Sequence, residues 1–163
     1  QKRNMPIYCT DQVFECLARE YKYVFDDSFK YPGIPQIEPN IITNEKFVVE
    51  GVEVIPILVW HYKLPVFGYR IGDTAYITDA NMIDPEEKEK LKGLDCIVLN
   101  ALRREKHISH FTLDEALNLI QELQPRVAYL THASHLLGKH AIVQAELPEG
   151  VHLAYDGLSV DVR

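Results

Sequence analysis

The sequence predicts an α/β domain in which a mixed sheet carries its helices on one face. Three observations lead there. Two turn signals, Glu50-Gly51 and Gly72-Asp73, each sit between β-dense runs and read as hairpins. The long, largely apolar run 52–59 reads as a strand covered on both faces. Beyond residue 84, buried strands alternate with helices of 3.6-residue period and no internal repeat, the pattern of a layered α/β domain.

Taken in order, residues 5–8 form a short strand, and Thr10 caps a helix whose apolar positions are Val13, Leu17, Tyr21 and Val24. Residues 26–40, rich in Pro, Asp and Tyr, read as an irregular loop. Strands over 46–49 and 52–60 make the first hairpin, and 66–71 with 74–78 the second. Asp84-Pro85-Glu86-Glu87 opens a helix, with proline at its first position and acids on the positive end of the dipole. Residues 94–99 form a buried strand. Thr112-Leu113-Asp114-Glu115 is a capping box, and Leu113, Ala116, Leu117, Ile120 and Leu123 share one face of the helix it starts. A strand over 127–130, a helix near 139–146 and a last pair of strands around Asp156-Gly157 complete the chain.

With 163 residues, 47% of them hydrophobic, the chain suits one domain, 1–163, that buries its core without disulfides. Its 17 basic residues against 24 acidic ones give a net charge of −7 and no basic run. Nucleic-acid partners are therefore disfavoured, whereas a small substrate meeting a locally positive site is not. Cys9, Cys16 and Cys96 have no ligand-like spacing and read as small buried thiols. No apolar run approaches the roughly 18 residues of a membrane span. A reducing, cytoplasmic setting is the default expectation.

The seven histidines are not scattered. His61 ends the strand 52–60, Asp79 ends 74–78 and His132 follows 127–131, while His107 and His110 lie in the loop after 94–99. In an open α/β sheet the loops beyond strand ends converge on the ligand crevice. Neutral imidazole and carboxylate hold Zn²⁺, Mn²⁺ or Fe²⁺ while leaving a position for water, and a carboxylate can bridge two metals. Singly, each residue has an ordinary reading as a hydrogen-bonded or surface group. Their convergence from four strands is what points to metal. His140 and His152 stand outside this pattern as surface residues.

At these residues the sequence resembles the C-terminal part of metallo-β-lactamase-fold hydrolases, in the branch of phosphoribosyl 1,2-cyclic phosphate phosphodiesterase. The segments that carry the resemblance are Val59-Trp60-His61-Tyr62-Lys63-Leu64-Pro65, Phe67-Gly68-Tyr69-Arg70, Tyr76-Ile77-Thr78-Asp79, Leu99-Asn100-Ala101-Leu102, His107-Ile108-Ser109-His110-Phe111-Thr112, Leu130-Thr131-His132-Ala133-Ser134-His135 and Ala154-Tyr155-Asp156-Gly157-Leu158. They run in family order over residues 46–162. The resemblance implies an αββα sandwich and two divalent metal ions, zinc or manganese. His61 corresponds to a ligand of one metal, Asp79 to the bridging carboxylate and His132 to the last ligand of the second. His110 corresponds to a general acid. His135 corresponds to a ligand of a structural zinc whose cysteine cluster this chain lacks, so it is left for that zinc or for substrate. His107 is left as a substrate contact. Lys63 and Arg70 are candidate phosphate contacts, with solvated surface as their ordinary reading. The substrate implied is a small or cyclic phosphate ester.

The family's His-x-His-x-Asp-His motif occurs nowhere in the 163 residues. The expectation is therefore the C-terminal portion of a larger domain, lacking four ligands and the N-terminal sheet. Either a missing N-terminal segment completes a phosphodiesterase, or the half-fold is catalytically incompetent and self-associates as a homo-oligomer, since an uncovered sheet face is a large apolar patch.

Overall fold

The structure, a computed structural model, describes residues 4–26, 28 and 32–161. The chain falls into two compact units, Gln1–Glu45 and Lys46–Arg163.

In the first unit, strand β1 (Met5–Cys9) leads into helix α1 (Asp11–Glu20). The Thr10 side chain accepts from the Val13 amide at 3.3 Å, as its position predicts. The helix does not run on to Val24. Tyr21 leaves helical dihedrals (φ −113°, ψ 45°), and a separate turn, α2 (Lys22–Phe25), follows. The aromatic and β-branched run Tyr21–Phe25 is a poor helix former. Breaking there brings Phe25 edge-on to Phe14, with ring centroids 5.4 Å apart. The segment read as a loop over 26–40 holds a strand, β2 (Ile37–Ile41), paired in parallel with β1. Pro39 and the polar Glu38 and Asn40 hide it from a pattern search, because the pairing lies on a two-stranded edge.

The second unit contains β3 (Phe47–Val49), β4 (Val52–His61), β5 (Leu64–Ile71), β6 (Thr74–Ile77), β7 (Met82–Ile83), α3 (Pro85–Glu89), β8 (Cys96–Asn100), α4 (Leu113–Leu123), β9 (Val127–Thr131), α5 (His140–Glu146) and β10 (Val151–Leu153). The sheet order is β10-β9-β8-β6-β5-β4-β3, with β7 beside β4. Strands β3 to β6 pair antiparallel, and β6, β8, β9 and β10 pair parallel. Glu50 and Gly51 both take positive φ (51° and 86°), as a two-residue hairpin turn requires. Instead of the expected final pair of strands, the described residues contain β10 alone. Asp156-Gly157 is a turn beyond it.

The registers align Ile57, Ile77, Leu99, Leu130 and Leu153 across one face of the sheet. Leu113, Ala116, Leu119 and Ile120 of α4 and Val143 of α5 complete the core on that face. Helices on one face of a mixed sheet is the arrangement the periodicities predict. The capping box at Thr112 forms in both directions, with Thr112 and Glu115 each accepting from the other's amide. Strand β4 is covered on both faces, as its apolar run suggests, and Pro56 sits fully buried within it. Where β4 lacks a strand neighbour, the Leu58 amide donates to Glu87 Oε2 (2.8 Å) and Lys90 donates to the Pro56 carbonyl (3.2 Å). Of the cysteines only Cys96 is buried; Cys9 is partly exposed and Cys16 exposed.

Candidate metal centre

Strand polarity explains why distant residues meet. β4 is antiparallel to β5, which is antiparallel to β6, and β6, β8 and β9 run parallel. The C-terminal ends of β4, β6, β8 and β9 therefore share one sheet edge, where open α/β sheets place ligands. His61 closes β4 and Asp79 follows β6. The loop after β8 delivers His107 and His110, and His132 follows β9. Asp79 (φ 54°) and His132 (φ 57°) both adopt left-handed backbone, uncommon outside glycine although Asp and His tolerate it better than most, and recurrent at functional sites.

These side chains converge. His110 Nε2 lies 3.2 Å and His132 Nε2 3.6 Å from Asp79 Oδ1. The His110 ring stacks on His132 at 4.9 Å and meets His61 edge-on at 4.7 Å. Ligand atoms of His61, Asp79 and His110 all lie within 4.8 Å of one another. On its other side, His110 Nδ1 is 3.0 Å from Ser109 Oγ and 3.1 Å from His107 Nδ1. The end of β4 is stapled to the Asp79 loop by Asn81 N to Trp60 O (2.8 Å), Tyr62 N to Asn81 Oδ1 (2.7 Å) and Trp60 Nε1 to Asp84 Oδ2 (2.8 Å). Asp84, at the N-cap of α3, makes no capping bond with its side chain and spends that carboxylate on Trp60.

Burial drives the Asp79 carboxyl upward, but the hydrogen bonds from His110 and Thr78 and the positive charge of His132 outweigh it. They hold the group below its ordinary range. His110 is held below the usual imidazole value, first by burial. Its bond to Asp79 opposes this, and the charges of His132 and His61 add to it. His61 Nε2 is buried and has no hydrogen-bond partner among the described residues. A polar atom left so is costly unless a ligand satisfies it. With imidazole nitrogens and a carboxylate oxygen around it, the donor set fits a divalent metal such as zinc or manganese.

His135 is exposed and outside this cluster. Arg70 is engaged with backbone rather than left in solvent. Its guanidinium, 17% exposed, donates to the Lys90, Lys92 and Gly72 carbonyls at 2.7–2.8 Å and so holds the turn after α3. Lys63 is exposed and lies over the Tyr62 ring at 5.3 Å. Two residues of the site lie in segments that carry the resemblance but receive no role from the sequence: Ser109 against His110, and Asn100, an amide at the end of an apolar run.

Comparison with known proteins gives a consistent picture. The Beta-lactamase superfamily domain profile matches residues 1–133. An octanoyltransferase of Porphyromonas gingivalis is 33% identical over 158 residues, covering 96% of this chain and 32% of that protein. The crystal structure of a diphosphatase from the PhnP family superposes with a TM-score of 0.89 at 32% identity, covering 99% of this chain and 60% of that one. YhfI of Bacillus subtilis, a metallo-beta-lactamase fold protein, superposes with a TM-score of 0.73 at 16% identity, covering 96% and 64% of the two chains. The chain thus spans about a third of the curated relative and 60% of the diphosphatase. Fold, site edge and profile agree: this chain belongs to the beta-lactamase superfamily domain family and has the metallo-β-lactamase fold.

Proposed function

We propose that the chain carries one half of a dinuclear-metal phosphodiesterase site for small or cyclic phosphate esters. The observation that carries this reading is His61 Nε2, buried and unpartnered beside Asp79 and His110. The 32% identity to a diphosphatase supports a phosphoester substrate. In this reading the chain is the C-terminal part of a larger metallo-β-lactamase-fold domain, and a His-x-His-x-Asp-His segment outside it supplies the remaining ligands.

His61, Asp79 and His132 would hold the metals, through two imidazoles and a carboxylate. The metals, when bound, supply Lewis-acid charge to the phosphoryl oxygens. His110 is the general acid, handing a proton to the departing alkoxide. Ser109 Oγ and His107 Nδ1 face its other ring nitrogen and fix the ring's orientation. His107 is half-buried and remains available to substrate. His135 is left to substrate contact or a structural metal. The net charge of −7 favours a small ester over a polynucleotide.

The test is turnover of bis(p-nitrophenyl) phosphate with Zn²⁺ or Mn²⁺ by the protein with its complete ligand set. His132→Ala is expected to abolish turnover with the circular dichroism spectrum unchanged. Retained turnover removes His132 from the ligand set. No metal-dependent turnover by the unmutated protein removes the phosphodiesterase reading itself.

A further inference from the structure

Asn100, at the end of β8, is 0% exposed. A buried amide persists where its donor and acceptor are both met. Here both go to a single residue. Asn100 Oδ1 accepts from the Ala80 amide at 3.1 Å, and Nδ2 donates to the Ala80 carbonyl at 2.9 Å. Ala80 is the residue after Asp79, whose left-handed backbone (φ 54°) a side chain adopts only when its surroundings enforce it. The same carbonyl accepts from the Phe111 amide at 2.7 Å, and Phe111 follows His110. Next along from Asn100, the Ala101 amide donates at 3.0 Å to the Thr131 carbonyl, just before His132. The end of β8 thus gathers the three loops that carry Asp79, His110 and His132.

We propose that Asn100 is a positioning residue whose amide clamps the Ala80 peptide and so fixes the Asp79 carboxylate against the His110 ring. The proposal rests on the reading that Asp79 and His110 form one site. An apolar residue at this strand end would suit the core as well. An amide meets the Ala80 N–H, which is closed to water, and adds a second bond to the carbonyl that Phe111 already holds, so it grips the peptide from both of its polar groups. Asn100→Asp keeps the shape and the bond to the Ala80 amide, but sets an oxygen against the Ala80 carbonyl. Gln144 provides a matched control, because its amide binds backbone in the same way at β10, accepting from Leu153 N (2.8 Å) and donating to Val151 O (3.3 Å).

The experiment compares Asn100→Asp with Gln144→Glu, metal-free and at one pH. It follows the His110 ring nitrogens by NMR and the exchange of the Ala80 amide. Zn²⁺ affinity, by competition with a chromogenic chelator, is read beside them. Asn100→Asp is expected to move the His110 Nε2 resonance and speed Ala80 exchange about tenfold or more. It should also weaken Zn²⁺ by roughly 10–100-fold, the usual size for a group that orients a ligand. Gln144→Glu should leave all three unchanged. A folded Asn100→Asp whose His110 resonances and Ala80 exchange match the parent overturns the proposal. If that variant does not fold, Asn100→Ser, which adds no charge, is judged by the same two NMR readouts. If the parent binds no Zn²⁺, the metal reading fails while those readouts still decide the clamp.

Discussion

Asp79 and His110 illustrate how a small cluster sets its own proton balance. The first hydrogen-bonds to the second at 3.2 Å, and both carry pKa values below their ordinary ones. For Asp79 the bonds and cations overcome burial. For His110 burial and two neighbouring imidazoles overcome the carboxylate. The sign of the linkage is the same for each. The unfolded chain binds protons at a higher pH than the folded one, so acid favours unfolding. In the metal-free chain, stability should fall as pH drops below His110's unfolded value of 6.5, and again below Asp79's 3.8. Urea midpoints at pH 7.5 and 5.5 check the first step. His110→Gln should shrink the difference between them, and an undiminished difference would assign it to other groups.

Among the elements, the antiparallel half of the sheet depends on a close approach at Gly68 in β5. A β-carbon there would lie 2.7 Å from Ile77 Cγ1 and 3.0 Å from the Tyr76 carbonyl. Since Ile77 is fully buried and two residues before Asp79, it has nowhere to yield. Gly68→Ala should therefore cost about 1–3 kcal/mol, the usual penalty for overpacking a filled core. Chemical denaturation would register it as a lower midpoint with an unchanged slope. A neutral result would mean that β5 and β6 can separate without loss. Arg70 acts at the same scale: a charge that looks available for phosphate is consumed by three backbone carbonyls, so its role is to hold the turn after α3.

For the molecule as a whole, the chain holds three of the proposed ligands and spans 60% of the diphosphatase it resembles. A site with half its donors gains only part of the binding free energy that two metals provide. The isolated chain, equilibrated with Zn²⁺ and passed over a desalting column, should retain fewer than two ions per chain. Elemental analysis measures this directly. Two tightly held ions would show that residues of this chain complete the site by themselves.

Much of this was legible in the residues alone. Apolar runs placed β4, β8 and β9, a 3.6-residue period placed α4, and the Glu50-Gly51 turn and the Thr112 capping box formed as expected, because these features depend on near neighbours. Convergence of His61, Asp79, His110 and His132 could be expected because each lies beyond the end of a strand. Strand β2 was not legible, since its pairing with β1 is remote in sequence and its three central residues are polar or proline. The break at Tyr21 was set by contact between two phenylalanines, and the lone β10 replaced an expected pair. Asn100 is the clearest case. In sequence it is one amide after an apolar run, and only the tertiary structure, by bringing Ala80 to within 3.1 Å from twenty positions away, gives its hydrogen bonds a destination. Sequence determined most of the elements and put the ligands at strand ends, because both follow from local patterns. Which buried polar groups pair, and therefore how the ligands are aimed, was decided by packing between segments that the sequence keeps apart.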